Sequence, residues 1–367
     1  MSIGISVYPS CSTFKDDKKY IDYAHELGFT RVFTSLLELT EDDDEVVENF
    51  KNVVKYASNK GMEVVVDINP KIFKFIGVSF DDLTFFNEIG TYAIRLDMGF
   101  TGMEEATMTH NPFGIKIEVN MSIGTGYIDN IMSFNPNTNN LIGSHNFYPL
   151  RYTGLAEDFY KYCCNQFRRH NLKTAAFVTS QCGEIGPWPL QDGLCTLEIH
   201  RDLDIETQAQ YYLLDNDIDC ILIGNAYASN KELKKMSEVY KSRFITLNIE
   251  YEDSANEIYK KIVEEEIHGY RGDRNDYLIR SSMPRFKYKE SDIPANNCKK
   301  IMPGDVVIGN NDCMQYKGEL HIALKEMENI GRFNVIGRLS SGSIELLPRI
   351  KPWAKYRFIS KEERNNG

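Results

Sequence analysis

The chain has 367 residues but only two tryptophans, seven histidines and eight cysteines, and it lacks the arrangements that usually make such residues reactive. No Cys-x-x-Cys pair occurs, and the neighbours Cys163 and Cys164 fall on different sides of an expected helix. That excludes the common disulfide framework and points to reduced thiols in a cytoplasmic protein. No His-x-His or His-Glu-x-x-His occurs, so the familiar zinc ligand sets are missing and no metal is expected. A Walker loop and a dinucleotide fingerprint are also absent, and no cofactor is expected. No apolar stretch reaches the ~20 residues needed to span a bilayer. Met1-Ser2-Ile3-Gly4-Ile5 lacks the charged n-region of a secretory signal. Basic charge is scarce: the net charge of −11 argues against a nucleic-acid surface. Neither nucleic acid nor membrane is an expected partner, while a homo-oligomer is left open.

What is present is a repeat. Eight short, apolar, β-branched runs each end in a polar residue and lead into an amphipathic stretch: Ile3–Pro9, Arg31–Leu37, Glu63–Pro70, Ala93–Phe100, Ile115–Ser122, Leu141–Pro149, Lys173–Ser180 and Asp219–Asn225. Eight β/α units in succession predict an α/β fold, a closed (β/α)8 TIM barrel. The spacers read as helices. Asp42–Gly61 carries Val46, Phe50, Val53, Val54 and Ala57 at helical spacing, and Leu155–His170, Glu206–Leu214 and Lys231–Tyr240 behave alike. After about residue 240 the alternation stops. One helix over Ser254–His268 precedes short strands at Val306–Ile308, Phe333–Leu339 and Tyr356–Ile359. This predicts a catalytic barrel domain over 1–240 and a small, mostly β domain over 241–367.

The C-terminal strand ends of such a barrel surround its active site. Here they carry Tyr8, Ser35, Asp67, Asn69, Asp97, Asn120, His145, Asn146, Tyr148 and Asn225. Alternation along the fourth and fifth runs places Arg95 and Asp97, and Lys116, Glu118 and Asn120, inside the barrel. Charges buried there must be paired. Arg95, Lys116 and Glu118 are therefore expected to neutralise one another deep inside, whereas Asp97 and Asn120 reach the mouth. Asp97 is expected to act directly, and Asp67 to orient or hydrogen-bond.

The seventh loop, Gln181–Leu194, adds Glu184 and Asp192, with Trp188 held between Pro187 and Pro189. Trp188 serves either as a sugar-stacking platform or as a loop anchor. Paired carboxylates beside it suit glycoside hydrolysis, where one carboxyl protonates the leaving oxygen and another stabilises the oxocarbenium centre. Lys116 lies too near the start of its strand for Schiff-base chemistry. Glycines in Cys182-Gly183-Glu184 and Gly224-Asn225-Ala226 suit either a phosphate site or a tight turn.

At His145-Asn146-Phe147-Tyr148-Pro149 and Tyr152-Thr153-Gly154-Leu155 the chain resembles a specific family, the bacterial 6-phospho-N-acetylmuramidases, formerly a family of unknown function. Arg95–Phe100, Glu118–Ser122, Gly193–Arg201, Asp276–Ser281, Pro303–Ile308 and Lys317–Leu320 add to the resemblance, which spans nearly the whole chain. It implies a TIM-barrel glycosidase with a cyclophilin-like C-terminal domain. The implied reaction is cytoplasmic cleavage of the phosphorylated amino-sugar disaccharide 6-phospho-N-acetylmuramyl-β-1,4-N-acetylglucosamine during peptidoglycan recycling. The chain departs from the family pattern where Glu and Pro are expected and Asp192 and Cys195 stand. For such a substrate, the 2-acetamido carbonyl acts as nucleophile, Asp97 with Asn120 or Asp67 orients it, and Glu184 or Asp192 is the acid. Arg271, Arg274 and Arg280 would supply cations for the 6-phosphate. The competing readings are a sugar-phosphate isomerase or epimerase on the same scaffold, and a non-catalytic sugar-phosphate-binding protein.

Overall fold

The computed structural model describes residues 1–36, 44–75, 77–190, 192–242 and 244–360. Leu37, which ends the second predicted run, and Asp42, which opens the first predicted helix, lie outside the described residues. The chain divides into two compact units, Met1–Tyr240 and Lys241–Gly367.

The first unit is a closed parallel barrel of eight strands, paired in sequence order with the last returning to the first. They are β1 (Ser2–Ser6), β2 (Arg31–Ser35), β3 (Glu63–Ile68), β4 (Ala93–Leu96), β5 (Lys116–Asn120), β6 (Leu141–Ser144), β7 (Lys173–Val178) and β8 (Cys220–Ile223). Val64, Val65 and Val66 are all fully buried because one face meets helices and the other the lumen, so the run is apolar without alternation. The helix Glu157–Arg168 opens with two acids in its first turn and buries Tyr160, Cys163, Cys164 and Phe167. Gly61 ends the helix Asp44–Asn59 in a left-handed conformation, φ +80°. The predicted runs end two to five residues beyond their strands.

The lumen is tight at β1. A Cβ on Gly4 would lie 2.5 Å from Leu222 Cδ2 and 2.7 Å from the Arg31 carbonyl. Further in, the expected network of Arg95, Lys116 and Glu118 is replaced by other pairings. Glu118 pairs with Arg31 at 3.4 Å, and Arg31 also holds Glu63 at 3.1 Å. Lys116 Nζ instead donates to the Asn139 carbonyl and to Asn140 Oδ1, both at 2.9 Å. Lys116 is the first residue of β5, so its long stem carries the ammonium out to the barrel's N-terminal rim, where water also solvates it. Arg31, placed on the same face as Ser35 by strand alternation, fills the inner site.

The second unit holds one seven-stranded sheet in the order β10-β15-β9-β14-β12-β13-β11. Its strands are β9 (Ile245–Tyr251), β10 (His268–Gly269), β11 (Leu278–Ser281), β12 (Asp305–Gly309), β13 (Leu320–Ala323), β14 (Phe333–Leu339) and β15 (Lys355–Ser360). All neighbours run antiparallel except β15 and β9. The helix predicted over Ser254–His268 is limited to Glu257–Glu264, capped by the Asn256 side chain. The strand β9 was not expected, although Leu247 and Ile249 alternate inward along it.

Candidate active site

Register brings the acids together. Asp67 on β3 stands opposite Arg95 on β4, and Arg95 opposite Glu118 on β5. Asp97 follows β4 directly, its amide still bonded to the Ile68 carbonyl at 3.1 Å. Arg95 therefore becomes the hub of the mouth. Its Nη1 lies 2.6 Å from Asp67 Oδ1 and 3.4 Å from Asp97 Oδ1. Its Nε donates to Ser144 Oγ at 2.9 Å, and its Nη2 donates to Asn146 Oδ1. The guanidinium's fork geometry fixes all these partners at once.

The two carboxylates on this hub differ in access. The Asp67 side chain is 3% exposed and that of Asp97 is 34% exposed. Burial pushes the Asp67 carboxyl up to about 7, against the opposing pull of Arg95 and with the Asp97 charge adding to the rise. Asp67 is thus a sealed acid, and Asp97 the acid that meets solvent.

A second chain of contacts supports the hub. Asn120 Oδ1 accepts from the Ser122 amide at 2.8 Å, and its Nδ2 donates to the Asp97 carbonyl at 3.4 Å. Ser122 Oγ accepts from the Asn146 amide at 2.9 Å and lies 3.1 Å from His145 Nδ1, while His145 Nε2 lies 3.3 Å from Cys164 Sγ. Either tautomer of a neutral imidazole satisfies both contacts. Burial favours that neutral form, pushing His145 down to about 3. His145, expected at the substrate, has both ring nitrogens occupied inside the protein, on Ser122 Oγ and Cys164 Sγ. Tyr148 is half-buried; burial raises its phenol, to which the Asp97 charge adds while Ser122 and Arg95 oppose. Its hydroxyl therefore belongs to the same cluster.

The remaining candidates lie apart from this hub or are spent on structure. Tyr8 is buried and donates to the Gly224 carbonyl. It lines a small recess with Ser35, Leu36, Val46, Phe50 and Pro187, which brings the seventh loop to the ends of β1 and β2. Asn69 caps the helix Pro70–Phe75, accepting from the Ile72 amide at 3.1 Å. Asn225 is buried and ties the seventh loop with four hydrogen bonds to Thr179, Ser180 and Gly183. The Cys182 and Gly183 amides donate to Ser180 Oγ, so of the two readings of that glycine the tight turn is the one adopted. Arg280, in the second unit, pairs with Glu319 at 2.7 Å.

In the seventh loop Trp188 is 38% exposed. Glu184 is exposed, with no hydrogen bond or ion pair among the described residues. Asp192 is also exposed, but its Oδ2 accepts from the Arg151 amide at 3.2 Å. Arg201, not singled out in the sequence, stitches this loop to the sixth by donating to the Tyr148, Asp192 and Gly193 carbonyls. Glu105, also missed, accepts from the Phe100 and Gly102 amides and from Tyr127, and so holds the loop that leaves Asp97. The acid three residues after Gly102 was the readable signal of that cap. Among the described residues no cluster of three or more His, Cys, Asp or Glu side chains is arranged to hold a metal ion. No described helix is long and apolar enough to cross a membrane.

A closed barrel with acids and amides gathered at its C-terminal strand ends, joined to a mixed sheet domain, defines a two-domain (β/α)8-barrel protein with an enzyme-like mouth. The chain belongs to the 6-phospho-N-acetylmuramidase family: the family's N-terminal profile matches residues 3–238 and its C-terminal profile residues 245–359. Among solved structures it is similar to an uncharacterised B. cereus protein, with 42% identity over 98% of this chain and 99% of that one and a TM-score of 0.87. A conserved Enterococcus faecalis protein of unknown function shares the fold, with 24% identity over 100% of this chain and 98% of that one and a TM-score of 0.80. No curated protein matches the chain.

Proposed function

We propose that this chain is a cytoplasmic glycoside hydrolase that cleaves the β-1,4 bond of 6-phospho-N-acetylmuramyl-N-acetylglucosamine in peptidoglycan recycling. The observation that carries this reading is Asp97, the one carboxylate on Arg95 that meets solvent. Family membership narrows the substrate to a phosphorylated muramyl sugar.

The muramyl 2-acetamido carbonyl attacks its own C1 while the bond from C1 to the leaving O4 breaks. Asp97 accepts the acetamido N–H and so turns the carbonyl toward C1, and its charge stabilises the cationic ring that forms. Asp67 is too deeply sealed to touch sugar; it acts on Asp97 through Arg95. Glu184 gives its proton to O4, being the seventh-loop carboxylate without a partner among the described residues, whereas Asp192 accepts from the Arg151 amide. Water then opens the cyclic intermediate, returning the proton to Glu184. The step is a hydrolysis and needs no cofactor.

The test is mass spectrometry of purified protein incubated with phosphorylated and unphosphorylated N-acetylmuramyl-N-acetylglucosamine. Two monosaccharides from the phosphorylated substrate alone are expected. An unchanged disaccharide that nevertheless binds would favour a sensor, and an isomerised sugar with the glycosidic bond intact would favour an isomerase.

A further inference from the structure

The second unit contains a cavity of about 600 Å³, a size common for small-molecule sites. Its floor is one face of the sheet. Arg280 on β11 stands directly opposite His321 on β13, and Leu278, two residues earlier, shares that face. The Phe333 ring lies 5.3 Å from the His321 ring, edge to face. The walls come from Asp312–Tyr316 and from Ile330–Arg332. Met314 and Ile330 form an apolar lip, 78% and 74% exposed, and Met314 holds a left-handed backbone at φ +52°.

Two groups in this cavity lack partners among the described residues. Both ring nitrogens of His321 are buried and unbonded. Burial pushes its pKa down to about 4, so the ring is neutral and offers one N–H donor and one bare acceptor. Buried polar atoms are ordinarily satisfied, so an unsatisfied ring in a cavity wall points to something that enters. The other group is Arg332, exposed and without an ion pair. Arg280, by contrast, is spent on Glu319 and Asp273, and Asp273 also holds Arg271 at 2.8 Å. The two lining carboxylates, Asp273 and Asp312, oppose a dianion such as phosphate, which leaves room for a single negative charge.

We propose that this cavity binds a small N-acylated monocarboxylate. Its carboxylate pairs with Arg332, its acyl amide bonds to His321, and its apolar body rests on Leu278, Phe333 and Ile330. An acylamino sugar acid and the C-terminus of a short acylated peptide share that chemistry. The site stands independently of hydrolysis at the barrel mouth.

The experiment uses full-length protein with ring-¹⁵N histidines, titrated with N-acetylmuramic acid and, separately, with N-acetylphenylalanine. The His321 signals, assigned with His321→Gln, should shift saturably with at least one probe, and the better probe identifies the source. Arg332→Ala should weaken that binding about tenfold, the loss of one charge-assisted contact, and leave disaccharide turnover unchanged. His321 signals unmoved by both probes, or equal affinity in Arg332→Ala, would overturn the proposal. A shift at His145 alone places the probe in the barrel and counts against it equally.

Discussion

Arg95 Nη1 sits between two carboxylates, 2.6 Å from Asp67 and 3.4 Å from Asp97, one sealed and the other facing solvent. A single buried cation thus couples an acid that cannot reach a ligand to one that can. The arrangement is favourable only while both partners stay, because either charge left alone in the lumen is poorly solvated.

Arg95→Met should therefore destabilise the protein by about 3–5 kcal/mol, the usual result of breaking a buried ion pair from one side. Urea unfolding measures it. Adding Asp67→Asn should recover part of the loss, because the orphaned carboxyl goes too. A single variant as stable as the parent would contradict the hub.

Asp97→Asn should lower kcat on the phosphorylated disaccharide by about 100-fold or more, the range for a lost acid–base or charge-stabilising group. The fold should be unchanged, since Asp97 is partly solvated. Steady-state kinetics beside a melting curve separates these effects, and turnover within a few-fold of the parent rules out the assigned role.

Asp67 ionises near pH 7 because burial raises it, and only the ionised form balances Arg95. The rate profile kcat/KM should consequently rise through about pH 7. Asp67→Asn should remove that limb while retaining measurable activity, a pattern that mere misfolding would not produce.

Three buried imidazoles, His145, His268 and His321, have pKa values pushed by burial to about 3, 4 and 4. Lowered values mean that the unfolded chain binds more protons, so their contribution is complete above pH 6.5 and is lost as pH falls toward 4. Asp67 is raised and acts oppositely: its contribution is complete below pH 3.8 and is lost as pH rises toward 7. Asp17, also raised by burial, acts with Asp67, so three imidazoles against two carboxyls leave a net uptake of about one to two protons on unfolding near pH 5. The urea midpoint should fall between pH 7 and pH 5; a constant or rising midpoint would refute this balance.

Gly4→Ala should cost about 1–3 kcal/mol through overpacking, because its Cβ would press on Leu222 and on the Arg31 carbonyl. Combining it with Leu222→Val should relieve part of that cost. Thermal unfolding of the single and double variants tests the expectation.

Much of the architecture was legible because it is local. The β-branched runs at Glu63–Ile68 and Lys173–Val178 and the helical spacing of Tyr160, Cys163 and Phe167 are set by neighbours a few residues away. Strand β9 lies outside the pattern that marks the other strands, because the eight-fold repeat stops just before it. The candidate site was legible in part. Asp97 meets solvent at the mouth, yet Asn120, His145 and Asn225 share its position in the repeat and are buried, with their polar atoms bonded inside the protein.

Sequence alone was sufficient for the barrel, the change of pattern near residue 240 and the set of polar residues at the strand ends, because period and composition are properties of short segments. It could not assign partners. Glu118 meets Arg31, 87 positions away, rather than Lys116 two positions away. Arg95 reaches Asn146 across 51. Such choices depend on register around a closed sheet and on which side chains burial deprives of water, and both exist only once the barrel has closed.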